Sequence, residues 1–150
     1  MTRKWKVLPA VGMLASVLVL ASVVFAANAV KGGSYTGSLV PSRDGVLVSF
    51  KVSTSGKQVT SLSASNTPLY CSGGGKPIPV HFKNAAISSK GTFSSTGKYL
   101  VLEGPKKGQV GANLRITGKF LKGREEQGTL TTSYVGFSKC SGKSAYSTKA

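Results

Sequence analysis

The chain has 150 residues, 40% of them hydrophobic, 16% charged and 8% aromatic, and its 20 Lys and Arg against four Asp and Glu give a formal net charge of +16. That length leaves room for one domain once a targeting segment is set aside, which excludes a two-domain architecture. The apolar fraction is too high for a disordered polycation, and nothing in the chain approaches a polytopic membrane protein.

Arg3, Lys4 and Lys6 open the chain, and no charged residue follows between Val7 and Val30, a stretch dominated by Leu14, Val17, Leu18, Val19, Leu20, Val23, Val24 and Phe25. A basic start followed by an apolar run is the pattern of a secretory signal helix. Ala27-Asn28-Ala29 supplies the small residues that a signal peptidase accepts, so residues 1–29 are expected to be cleaved and residues 30–150 to form the exported β domain; Val24-Phe25-Ala26 is a second cleavage candidate. The alternative is an uncleaved anchor, because Val7 to Ala29 is 23 residues and long enough to span a bilayer, although Pro9, Gly12, Ser22 and Asn28 weaken it. Either reading places the domain outside the cytoplasm, extracellular or associated with the cell envelope. No cysteine near the cleavage region could carry a lipid anchor of the bacterial lipoprotein kind. Cleavage removes three of the 20 bases and no acid, leaving 17 against four and a formal +13.

Beyond Val30 the dominant signal is period-two alternation punctuated by Gly, Ser and Pro. Val46, Val48, Phe50 and Val52 alternate with Leu47, Ser49 and Lys51, which predicts a strand with one apolar face. The connection Ser53 to Lys57 contains Gly56, and Val59 to Ala64 resumes the extended pattern, so the pair reads as a hairpin. Thr67 to Pro77, rich in Gly and Pro, is expected to be a loop. Ile78, Val80 and Phe82 alternate with Pro79, His81 and Lys83, and Pro79 argues for an edge position because proline cannot donate to a ladder. Lys83 to Ser89 is the best helical candidate, a single turn. Thr92 to Ser94 and Tyr99 to Leu102 are expected to bracket a turn at Ser95-Thr96-Gly97-Lys98. Leu114, Ile116, Gly118 and Phe120 alternate with Arg115, Thr117 and Lys119, and Gly128, Leu130, Thr132 and Tyr134 with Thr129, Thr131 and Ser133. Ala145 to Thr148 adds a short closing strand before the tail frays. Strands recurring at such intervals predict an all-β fold, a single antiparallel sandwich or flattened barrel of about 7–9 short strands behind the signal helix.

Two cysteines, Cys71 and Cys140, remain in a chain bound for a non-reducing space. An even count there reads first as one disulfide, which in the chain-entropy account would close a loop of roughly 70 residues and contribute about 4 kcal/mol. Two buried thiols are the bland alternative and a redox or metal pair the functional one, but neither cysteine sits in a C-x-x-C motif and His81 is the only histidine. No metal and no cofactor is implied.

Catalytic residues are scarce. The exported chain holds Asp44, Glu103, Glu125, Glu126 and His81, whereas acid–base chemistry needs two such groups held a few ångström apart. Asp44-Gly45 reads as a turn, Glu125 and Glu126 as part of a solvated hairpin after Gly123-Arg124, and His81 as a solvated strand residue. There is no G-x-S-x-G elbow for a serine nucleophile. Gly-Lys occurs at Gly56, Gly75, Gly97, Gly118 and Gly142, but no phosphate-loop motif is completed. Most of these read as turn tips; Gly118, within a strand pattern, instead marks a bulge, a barrel bend or a close backbone approach. These absences argue against an enzyme.

Charge is what the sequence offers. Lys51, Lys83, Arg115 and Lys119 occupy polar strand faces and are the candidate binding residues, a basic stripe for an anionic cell-envelope polymer or an anionic membrane surface. The alternative is a structural or accessory secreted domain with no dedicated ligand, in which dispersed lysines keep a β protein soluble and protect its edges. Sequence-specific nucleic-acid binding is not expected, since no aromatic-basic RNA-binding motif appears.

The succession Gly33-x-Tyr35-x-Gly37, Val48-x-Phe50-x-Val52, Gly56-x-x-Val59, Cys71, Ile116-x-Gly118-x-Phe120, Gly128-Thr129-Leu130 and Cys140 resembles small secreted β proteins of Gram-positive, actinobacteria-like bacteria. The resemblance spans most of residues 33–148 and rests on turn glycines and core apolar residues. It implies export, an all-β fold and a Cys71–Cys140 bridge, and it carries no ligand.

Overall fold

Strictly alternating side chains leave a chain two faces, and a sheet that curls until its apolar face meets itself buries that face without a second layer. The computed structural model shows this solution and describes residues 29–42, 45–65, 79–135 and 141–150. The signal segment through Asn28, Asp44, Cys71 with its Gly-rich loop, and Cys140 lie outside the described residues, and with them the expected signal helix and disulfide.

Nine strands, β1 (Ser34–Val40), β2 (Leu47–Val52), β3 (Gln58–Ser65), β4 (Val80–His81), β5 (Ala85–Ala86), β6 (Thr92–Leu100), β7 (Val110–Phe120), β8 (Glu125–Tyr134) and β9 (Gly142–Lys149), form one sheet in the order β4-β3-β2-β1-β9-β8-β7-β6, with β5 also pairing β3. Every pairing is antiparallel. The two ends of that order meet through a bridge between Phe82 and Gly97 and a Lys83 N–H bond to the Thr96 carbonyl at 3.1 Å. The result is a nearly closed barrel.

Inside it, Tyr35, Phe50, Phe93 and Phe120 pack ring against ring, with Tyr35 stacked on Phe50 at 4.9 Å and edge-on to Phe120 at 5.3 Å. Val48, Val59, Leu62, Leu114, Ile116 and Leu130 extend the core along the barrel. Outside, β6 to β9 present mainly Ser, Thr, Lys and Arg, the reverse of a barrel that faces lipid with its walls.

One irregularity governs the seam. Ser49 pairs with Ser63 and Lys51 with Thr60, so β3 carries an extra residue opposite Phe50, and Ser61 takes a positive φ of 52° there. This is a bulge, which bends a strand and sharpens its twist. The segment that runs beside β3 breaks at the same level: β4 lies against Ser63 and Ala64, β5 against Gln58 and Val59, and Lys83-Asn84 spans the interval between them.

Several local expectations are corrected. Lys83 to Ser89 forms no helical turn, because Ala85–Ala86 is extended against β3. The expected turn at Ser95 to Lys98 is the middle of the continuous strand β6. Gly97 sits there because a Cβ would lie 2.9 Å from the His81 carbonyl oxygen, so glycine lets β4 approach. Gly142-Lys143 opens β9 and is not a turn tip, and β9 is laddered to β8 throughout and to β1 from Ala145 to Lys149, where a fraying tail was expected. Ser34–Val40, which the alternation reading left unassigned, is β1.

Candidate functional site

The outward positions of β4, β6 and β7 build a strongly basic concavity. His81 points away from the buried Val80 and Phe82, and Lys83 follows it on the same outer side. Thr96 pairs with Arg115 and Lys98 with Asn113 across the β6–β7 ladder. Because β4 touches β6 through little more than the Phe82–Gly97 bridge, the seam stays open as a groove of about 560 Å³ lined by His81, Lys83, Lys98 and Arg115, with the backbone of β6 and β7 at Gly97 and the buried Leu114 beneath them.

The Arg115 Nε donates to Ser94 Oγ at 3.2 Å, which ties the guanidinium to the β6 side and occupies one of its five donors. None of the described residues lining the groove is a carboxylate. The described acids lie elsewhere: Glu103 follows β6 beyond Leu102, Glu125 stands opposite Lys149, and Glu126 is inside the barrel. The arrangement therefore gathers three cationic side chains and the His81 imidazole around one concavity, a geometry suited to binding anions.

The four cations singled out in the sequence do not form one stripe. Lys83 and Arg115 share the groove. Lys119 stands on the same outer face of β7 but pairs at the level of Thr92 and Gln127, about 13 Å along the strand from Arg115 at 3.3 Å per residue. Lys51 pairs with Ser34 and Thr60 on β2, four strand positions from β7 in either direction round the barrel, hence on its far side. Lys98 belongs to the groove and was missed because Gly97-Lys98 reads as a turn tip.

The interior holds a second feature. Glu126, expected in a solvated hairpin, is fully buried: the turn ends at Arg124, Glu125 and Glu126 open β8, and alternation sends Glu126 inward. Tyr146 Oη donates to its Oε1 at 2.9 Å and Thr148 Oγ1 to its Oε2 at 2.8 Å, while the Lys119 backbone adds a further bond. Burial nevertheless dominates and pushes the carboxyl up to about 7. Burial beside Glu126 likewise drives the Tyr146 hydroxyl well above its ordinary range.

Two glycines make the room. A Cβ on Gly118 would collide with Glu126 Oε1 and lie 2.5 Å from the Phe93 ring, and one on Gly128 would lie 2.5 Å from Tyr146 Oη. Gly118 and Gly128 pair directly, so the cluster sits where two adjacent strands are stripped of side chains. Where a bulge, a barrel bend or a close backbone approach was expected at Gly118, the structure shows instead a close approach of side chains, Glu126 and Phe93. Enclosed in this way, Glu126 does not line the groove. Among the described residues no group of three His, Cys, Asp or Glu side chains could hold a metal ion.

Comparison of the chain with protein-family models, curated proteins and solved structures finds no match.

Proposed function

We propose that this chain is an exported, non-catalytic binding module that holds an anionic cell-envelope polymer in the groove between β4 and β6–β7. The observation that carries the reading is the convergence of Lys83, Lys98 and Arg115 on one groove with no carboxylate among its described lining. Cations that converge in a concave site focus the field, so a polymer of phosphate or carboxylate groups is attracted before contact and held afterwards. Thr96 and Asn113, which also line the groove, offer hydrogen bonds beside the cations. Export is supported by the basic start, the apolar run and Ala27-Asn28-Ala29. With lysine predominating over arginine, recognition is of charge more than of a particular phosphate geometry. Retention on a polyphosphodiester resin and on a sulfated polysaccharide resin across a salt series tests the reading. Binding to both that weakens steeply with salt is expected; no retention on either at low salt overturns it and leaves a structural role.

A further inference from the structure

The β6–β7 hairpin continues past the groove and changes character. Tyr99-Leu100-Val101-Leu102 abandons the alternation that governs the rest of β6, and Leu100 and Leu102 remain 46% and 51% exposed. The ladder shifts register here, with Tyr99 opposite Ala112 and Leu100 opposite Val110, so Gly111 is the extra residue and lies under the Tyr99 ring and Val101. Val135, 51% exposed, is bonded through its N–H to the Gly111 carbonyl at 3.0 Å and lies on the Tyr99 side. Both sides of this end of the hairpin therefore carry apolar side chains, with Lys106 and Gln109 beside them on the Tyr99 side.

The apex is also well held. Val101 N–H bonds to the Gln109 carbonyl, Gly108 N–H to the Val101 carbonyl and Lys107 N–H to the Gly104 carbonyl, all between 2.8 and 3.1 Å. Lys106 and Lys107 are exposed on this turn, against the single acid Glu103.

We propose that this hairpin end is a membrane-docking tip that places Leu100 and Leu102 at the interface of an anionic lipid surface while Lys106 and Lys107 engage the headgroups. Exposed leucines beside an aromatic ring and flanked by lysines match the layering of a bilayer interface, apolar below and anionic at the headgroups. A second copy of the chain fits less well. Two identical tips would bring Lys106 and Lys107 of each copy together, and a few hairpin residues supply far less than the roughly 800 Å² per partner of a stable interface. The inference is independent of the groove: it rests on different residues and needs no polymer.

The test uses the exported chain from Val30, which lacks both the apolar run and Trp5, so that a Leu102→Trp substitution provides the only tryptophan, with Thr129→Trp on the outer face of β8 as the control position. Vesicles of phosphatidylglycerol and phosphatidylcholine with bromine-labelled acyl chains should quench the tryptophan at 102 and leave that at 129 unquenched. Replacing Lys106 and Lys107 by Ser should weaken binding to these vesicles by about 25-fold, at roughly fivefold per lysine near an anionic surface. Leu100→Ser in the Leu102→Trp chain should reduce quenching at an unchanged melting temperature. Equal quenching at 102 and 129, or no quenching at 102, overturns the proposal. So does a dimer in sedimentation that the paired change Leu100→Ser and Leu102→Ser dissociates, since the tip would then be a self-association surface.

Discussion

Glu126 shows how one buried side chain can give a very basic barrel a pH dependence. Its carboxyl titrates near 7 when folded and near 4.5 when unfolded, so between those values the folded state holds a proton that the unfolded state releases. Stability is therefore intact below about pH 4.5, declines as pH rises through the folded value and levels off above it. The difference of about 2.5 units corresponds to a loss of at most about 3 kcal/mol. The protonated form is also the better satisfied one. Its O–H can donate to Tyr146 Oη while the tyrosine donates onward to the Thr117 carbonyl, 3.2 Å away. Glu126→Gln imitates that neutral form, so thermal melts at pH 5 and pH 8 should differ clearly in the parent chain and much less in the variant. A parent chain whose stability rises over this interval would contradict the assignment. None of this was legible in the sequence, because the partners that fix Glu126 lie 20 and 22 residues away on β9 and only strand pairing brings them to it.

At the scale of the strand, glycine does work that its sequence context only partly reveals. Gly118 interrupts a strong alternation, so it could be read as a special position, but not that the atoms packed on it are the Glu126 and Phe93 side chains. Gly97 lies among Ser94, Ser95 and Thr96, where no bulky apolar residue marks the inward face, and a turn was the natural reading. The seam was hidden for a related reason: β4 and β5 are two residues each and take their direction from the Ser61 bulge. That bulge is visible only as the three-residue step from Val59 to Leu62 in an otherwise two-residue rhythm. Gly118→Ala tests the packing around Glu126. The added methyl meets Glu126 Oε1 and the Phe93 ring, and since neither can retreat into space already filled, a loss on the order of 3 kcal/mol is expected by chemical denaturation. A loss below about 0.5 kcal/mol would mean that the interior is looser than the glycine contacts indicate.

For the whole molecule, closure and charge distribution decide what the barrel can do. The last strand, β9, pairs with β8 along its whole length and with β1 from Ala145 to Lys149, so the first and last strands are joined in the middle of the sheet. A chain ending at Ser141 would expose the long edges of β1 and β8 and remove Tyr146 and Thr148 from Glu126. It should lose cooperative unfolding and aggregate, which a circular-dichroism melt would show; a cooperative melt near the parent temperature would contradict this. An all-β fold, sandwich or flattened barrel, was legible because β2, β7 and β8 alternate strongly, whereas strand order was not, and strand order is what closes the barrel, separates Lys51 from Arg115 and joins Lys83 to it. The central claim, that this groove and not the overall charge holds an anionic polymer, is tested most directly by the salt dependence of binding. On a polyphosphodiester, the logarithm of affinity should fall linearly with the logarithm of salt concentration, and replacing Lys83 and Arg115 together by Ser should lower the slope by about 1 to 2. Lys51→Ser paired with Lys149→Ser removes the same charge away from the groove and should leave the slope nearly unchanged. Equal effects from the two pairs would show that binding follows net charge alone and would contradict the groove.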